Sequence, residues 1–194
     1  ESPFYQDILR LPPAQSLVVT RDQVRRTTYW SIDPARRLDL RSDQAYGDGY
    51  RDVFTEAVRC RLRSSHPIAS TLSGGLDSSS IVCVARNFMR AQGRDRLKTF
   101  SVIFDDPRGD ERPYIDSVLE GGDLEPHEIF GREHGALQVV EPMLRILDQP
   151  SFGTNLYIFW SIAEAASREG VRVLLDGAFG DGAQRQGHRL DQAG

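Results

Sequence analysis

Cysteine is scarce in this chain of 194 residues: Cys60 and Cys83 lie far apart, with no CxxC and no Cys/His spacing. That leaves no basis for a disulfide framework or a cysteine-based zinc site. Both fall in helical patterns and read as buried, reduced thiols, which favours the cytoplasm. No apolar run approaches the ~20 residues that a membrane span needs. Residues 1–10 lack the basic start and apolar core of a secretory leader, and they lack an initiator Met. The chain is therefore read as beginning inside a larger protein. Basic residues form no stripe with interleaved aromatics, and the net charge is −4, so nucleic acid is not an expected partner.

What is present fits one α/β domain with a small appendage. Residues 16–20 and 24–30 read as two β-branched and aromatic strands joined by a turn at 21–23. Such a hairpin is not stable alone. Residues 1–40 are accordingly read as the end of a missing β-rich domain plus a linker, and residues 41–194 as the main domain. From Asp43 the pattern turns helical, with Tyr50, Val53, Phe54, Ala57 and Val58 on one face, and should end near Ser64–Ser65, ahead of Pro67. Then come strand 68–72, helix 77–91, strand 99–104, helix 112–119, a weaker strand 127–130, helix 135–147, helix 156–168 and strand 171–175. Gly170 lies just past the last helix, where a C-terminal glycine is expected. This alternation predicts a parallel sheet covered by helices on both faces. Ligands of such sheets sit beyond the carboxyl ends of the strands. Residues 73–79, the acids Asp105, Asp106, Asp110 and Glu111, and residues 176–181 all fall at that edge.

The first of these reads S-G-G-L-D-S-S. Gly74 and Gly75 allow a tight turn and bring backbone N–H groups close to an anion. Asp77, Ser78 and Ser79 then open a helix, where free N–H groups and the dipole favour negative charge. The lysine of a GxxxxGK[ST] loop is missing. The loop therefore suits a pyrophosphate whose charge a divalent cation offsets, with Asp77 placed to position that cation. The plainer alternative is an ordinary strand-to-helix turn capped by Asp77 and the serines.

This string resembles the pyrophosphate loop of the ATP-pyrophosphatase (PP-loop) superfamily, in the form found in the asparagine synthetase (glutamine-hydrolysing) family. The resemblance covers nearly the whole chain. Residues 4–14 resemble the end of that family's glutaminase domain, and Tyr29-Trp30 the start of its linker. Residues 99–102 resemble its second strand, and Asp110-Glu111 with Tyr114-Ile115 its acidic turn and following helix. Asp148-Gln149-Pro150 and residues 170–177 complete the match. The implied fold is that of adenine-nucleotide α-hydrolase-like domains. The implied activity is ATP-dependent amide synthesis: Mg-ATP adenylates the side-chain carboxylate of aspartate, pyrophosphate leaves, and ammonia from glutamine attacks. Carried over by position, Leu72 and Val102 flank the adenine. Ser73, Gly74, Gly75, Asp77, Ser78 and Ser79 form the pyrophosphate site, and Asp176 and Gly177 lie near ribose and adenine. Asp77 and Asp181 are the implied Mg2+ ligands and catalytic acids. For Leu72 and Val102, strand core is the equally available reading.

The third feature departs from the family's S-G-E-G-[AS]-D-E. This chain has D-G-A-F-G-D-G, so Ala178 stands for a glutamate implicated in ammonia attack and Gly182 for a second carboxylate. Losing a general base costs roughly 10²–10⁴ in rate. The adenylation half-reaction is therefore expected to survive better than amide formation. A cyclase of the lasso-peptide or β-lactam type and a nucleotide-binding module without amide synthesis are the alternatives. The family's pyrophosphate-contacting lysine and its glutaminase cysteine fall outside this chain, so the segment alone is expected not to complete a turnover. The resemblance leaves room for a homodimer. His188 reads as a surface residue. His127 and His134, with Glu128 and Glu133, match no metal-ligand spacing and read as a solvated loop. The four acids at 105–111 suit either magnesium or amine contacts, or turn and cap roles.

Overall fold

A computed structural model describes residues 5–132, 135, 137–149, 155–178 and 180. The expected hairpin forms from β1 (Gln15–Val19) and β2 (Val24–Thr28), antiparallel, with Val19 opposite Val24. β2 stops short of Tyr29 and Trp30, which are exposed. The Tyr29 N–H still reaches Ala14 O at 2.9 Å, and Ala14 itself turns at φ 57°.

Helix α1 (Asp43–Arg61) opens on Ser42, whose hydroxyl accepts the Ala45 N–H at 3.2 Å. It ends earlier than expected, in a tight last turn where the Leu62 N–H reaches Arg59 O. Its buried face is narrower than the spacing predicts. Val58 is buried and Phe54 half-buried, whereas Tyr50 and Val53 are exposed. Only the carboxyl-terminal half of α1 lies on the core. For the same reason Cys60 is exposed, not buried: it sits about 200° round the helix from Val58. Cys83 is only partly buried.

The main unit follows as β3 (Ile68–Thr71), α2 (Leu76–Ala91), β4 (Leu97–Ile103), α3 (Arg112–Leu119), β5 (Leu124–Phe130), α4 (Val140–Leu147), α5 (Leu156–Arg168) and β6 (Val173–Leu175). The strands form one parallel four-stranded sheet in the order β5-β4-β3-β6. One face packs Ile68, Leu72, Leu97, Ile103 and Leu124 against α1, α2 and α3 through Val58, Val82, Ala85, Met89 and Ile115. The other packs Ala69, Phe100 and Ile129 against Ile162 and Ala166 of α5. The α/β architecture with both faces covered is thus the observed one.

Several boundaries move for identifiable reasons. β5 begins at Leu124 and contains Pro126. It is an edge strand paired only with β4, so a missing N–H on its outer side costs no ladder bond. β6 begins two residues late because the Val171 N–H is still bound to Ala166 O, past Gly170 at φ 69°. Helix α4 begins at Val140, preceded by a turn in which the Gln138 N–H reaches Gly135 O at 2.9 Å. His127 is not in a loop: it stands on β5 with its ring 4.8 Å from that of Phe100. Glu133 and His134, its expected companions, lie outside the described residues, as do Asp181, Gly182 and His188. Among the described residues no helix is long and apolar enough to cross a membrane.

Candidate functional site

From β3 the chain steps outward to β4 and β5, then returns on the other side of β3 as β6. The loops that leave β3 and β6 therefore meet side by side at the carboxyl edge. This is the switch point at which open parallel sheets hold their ligands.

The loop after β3 is built to keep its backbone exposed and its side chains out of the way. Leu72 still pairs with β4, its N–H on Phe100 O at 2.9 Å. Gly74 then takes φ 76°, and a Cβ there would come 2.7 Å from Tyr114 Cβ and 3.2 Å from Glu111 O. Gly75 is the N-cap of α2, and no side chain caps that helix. The buried Ser78 hydroxyl turns inward: it accepts the Ser73 N–H at 3.2 Å and donates to Gly75 O at 3.2 Å. Ser78 is thus a brace inside the loop. Its contribution toward an anion is its backbone N–H. Ser73 and Gly75 are exposed, and Asp77 and Ser79 half-buried.

The loop after β6 closes on this one. Asp176 Oδ1 accepts the Thr71 hydroxyl at 3.3 Å and the Ala178 N–H at 2.9 Å. Gly177 approaches so closely that a Cβ there would lie 2.8 Å from Ser78 N. A Cβ on Gly180 would collide with the Asp77 carboxylate. Asp77, Ser78, Asp176 and Gly177 are therefore brought together as the sequence predicts. Gly180 belongs with them and is recognisable only from the structure. Behind the two loops lies a cavity of about 650 Å³ lined by Tyr50 and Phe54 of α1, Asp77 and Ile81 of α2, and residues 176–178 and 180. Tyr50 reads from spacing as a core residue. It lines this cavity instead.

The adenine-flanking pair divides. Leu72 is only 1% exposed and sits in the core beneath α2, while Val102 is half-buried on the α5 face. Of the acids at 105–111, Asp106 and Asp110 take turn and cap roles, accepting the N–H groups of Arg108 and Arg112. Asp105 pairs with Arg132 at 2.7 Å, Asp106 with Arg108 at 2.8 Å and Asp110 with Arg112 at 2.8 Å. Glu111 stands apart: its carbonyl backs Gly74, and partial burial pushes its carboxyl above the usual range. Lys98, the single lysine of the chain, lies near the opposite edge of the sheet, held by Glu125 at 2.6 Å and Glu169 at 2.8 Å. No described lysine serves the loop.

The fold is an α/β domain with a parallel sheet, and the uncapped, glycine-led helix start at its switch point is a geometry that suits an anion. The family model described as asparagine synthase matches residues 49–191, and the chain belongs to that family. A putative asparagine synthetase (glutamine-hydrolyzing) 2 of Methanocaldococcus jannaschii is 30% identical over 93% of this chain and 34% of its own length. Amidase chyE of Penicillium rubens is 26% identical over 92% of this chain and 28% of its own. The chain spans about a third of the length of these curated relatives. Among solved structures, NMN synthetase from Francisella tularensis aligns with a TM-score of 0.39 at 13% identity, over 70% of this chain and 54% of its own.

Proposed function

We propose that this chain is the ATP-activating part of an amide synthetase of the asparagine synthetase type. Mg-ATP adenylates the side-chain carboxylate of a small acid, aspartate being favoured, and pyrophosphate leaves. Ammonia released from glutamine by a separate glutaminase domain then attacks the acyl carbon. A carboxylate is a poor electrophile because its leaving group is oxide, and adenylation replaces that with AMP. The observation that carries this reading is the uncapped start of α2 behind Gly74 and Gly75, beside the half-buried Asp77. Backbone N–H groups there suit the pyrophosphate, and the close approach of Tyr114 and Glu111 to Gly74 holds the turn in a form that leaves no room for a Cβ. Asp77 would hold the magnesium, with Asp181 as the second expected ligand. The ion would offset charge on the departing pyrophosphate. The cytoplasm, where ATP and Mg2+ are available, is the proposed location.

Ala178 favours a second reading, a cyclase or other amide-forming relative that uses an amine already carried by a substrate. The family's glutamate is absent at that position, and a relative named as an amidase matches most of the chain. ATP–pyrophosphate exchange on the full-length protein, run across candidate carboxylates, tests the proposal. Exchange dependent on aspartate is expected, and exchange dependent on a larger acid would move the case to the second reading. ATP binding without exchange for any acid would leave only a nucleotide-binding module.

A further inference from the structure

Tyr5 and Arg10, ahead of β1, both hold the end of α4. The Tyr5 hydroxyl donates to Asp148 O at 2.8 Å, with Asp148 Oδ1 at 3.0 Å, and the Arg10 guanidinium donates to Gln149 Oε1. Between these anchors Ile8 and Leu9 are exposed, so apolar burial contributes little to holding the stretch down. What it fastens is itself weakly held. Helix α4 has eight residues, a length that is marginal alone. None of its side chains is buried, and among the described residues no side chain caps its start. Its C-cap, Asp148, sits at φ 50°, a left-handed conformation that Asp tolerates better than most residues but still at a cost. Asp148 O is one of the carbonyls that a helix end leaves without a donor, and the Tyr5 hydroxyl supplies one. Tyr5 is thus a side-chain cap for α4, drawn from far back along the chain.

We propose that residues 5–10 are a releasable strap. Fastened, it keeps α4 formed and the start of α5 in place; released, it loosens the adenine side of the nucleotide site. Each bond of this kind shifts an equilibrium by only about two- to tenfold. Both states are therefore within reach of a partner that engages residues 5–10. The route to the site is short. After Gln149 the chain enters α5, where Ile158 in the first turn packs on the same apolar cluster as Val102. Val102 is the residue expected beside the adenine. Coupling of this kind is reciprocal, so bound nucleotide should in turn tighten the strap. The control of nucleotide binding rests on the ATP reading of the site; the capping of α4 does not.

Hydrogen exchange read by mass spectrometry, with Mg-ATP calorimetry, tests the proposal on the full-length protein. Combining Tyr5→Phe with Gln149→Leu should speed exchange in residues 140–148 by about fivefold or more. Exchange in β3, β4 and α2 should stay as in the wild type, because Tyr5 and Gln149 lie off both apolar clusters. Mg-ATP should bind roughly two- to tenfold more weakly in the same variant. Asp148→Asn keeps both acceptors and suits the left-handed conformation, so it should match the wild type in both measurements. Unchanged exchange in α4 of the double variant would overturn the proposal. So would a rise spread evenly over the sheet, which marks general destabilisation. A looser α4 with unchanged Mg-ATP affinity would overturn the control of the nucleotide site. Wild-type protein that binds Mg-ATP but catalyses no ATP–pyrophosphate exchange would remove the synthetase reading alone and leave the strap standing.

Discussion

Thr71 and Asp176, 105 residues apart, are joined by a 3.3 Å hydrogen bond from the threonine hydroxyl to the aspartate carboxylate. Thr71 is the last residue of β3 and Asp176 the first after β6, so this bond ties together the two loops of the candidate site. Thr71→Val keeps the shape and removes the donor. It should cost about 1 kcal/mol in urea unfolding, and it should weaken ATP binding several-fold while Ala178 still holds the carboxylate. Calorimetric titration of full-length protein with Mg-ATP is the measurement, and unchanged affinity would show that the bond does not shape the site.

Gly74 and Gly93 both have positive φ, at 76° and 62°, but only Gly74 is enclosed. An alanine at either position carries about 1–3 kcal/mol of backbone strain. Gly74→Ala must also displace Tyr114 or α3. Gly74→Ala should melt lower than Gly93→Ala, and in assays run well below both melting temperatures pyrophosphate exchange should fall at least 100-fold in Gly74→Ala and stay near wild type in Gly93→Ala. Equal activities would remove the loop from the site.

Ala178 is exposed, so a longer side chain fits without repacking. If a missing base limits amide formation, Ala178→Glu should raise ammonia-dependent amide production by as much as 10²-fold, within the range general bases supply. Pyrophosphate exchange should not change. Rapid wild-type production of asparagine from aspartate, ammonia and ATP would refute the premise.

Hydrogen bonds to Lys98 hold the carboxyls of Glu125 and Glu169 below their usual range, and the same bonds raise Lys98. The signs follow from linkage. The depressed carboxyls contribute stability that is present above their unfolded pKa and lost as pH falls through the folded values. Lys98 contributes stability that is present below its unfolded pKa and lost as pH rises through its folded value. Lys98→Met should therefore flatten the acid limb of a melting-temperature profile below pH about 4.5. The effect should be small and weakened by salt, because these groups are partly solvated. An acid limb as steep as the wild type's would exclude the network as its source.

Much of this architecture is legible in the chain because its causes are local. Helix α3 and helix α5 have the boundaries that periodicity predicts, and β3, β4 and β6 lie within or close to the short apolar runs read as strands. Cys60 and Tyr50 defeat the same logic. Helical spacing identifies an apolar stripe, but not how much of it a neighbouring element covers. The first part of β5, from Leu124, was obscured by Pro126, which discourages a strand reading except at an edge, and edge position is a property of the whole sheet.

By itself, S-G-G-L-D-S-S determined the glycine-led turn and the open start of α2, since glycine freedom and unpaired N–H groups at a helix start depend on a few adjacent residues. Strand–helix alternation determined a parallel sheet. Only the tertiary structure decided that β6 lies beside β3, because strand order depends on which faces are buried together and not on any local pattern. That one adjacency brings Asp176 to Thr71, seats Gly177 and Gly180 on the start of α2, and opens the cleft toward Tyr50 and Phe54. Within its own loop, the Ser78 hydroxyl is taken up by Ser73 and Gly75.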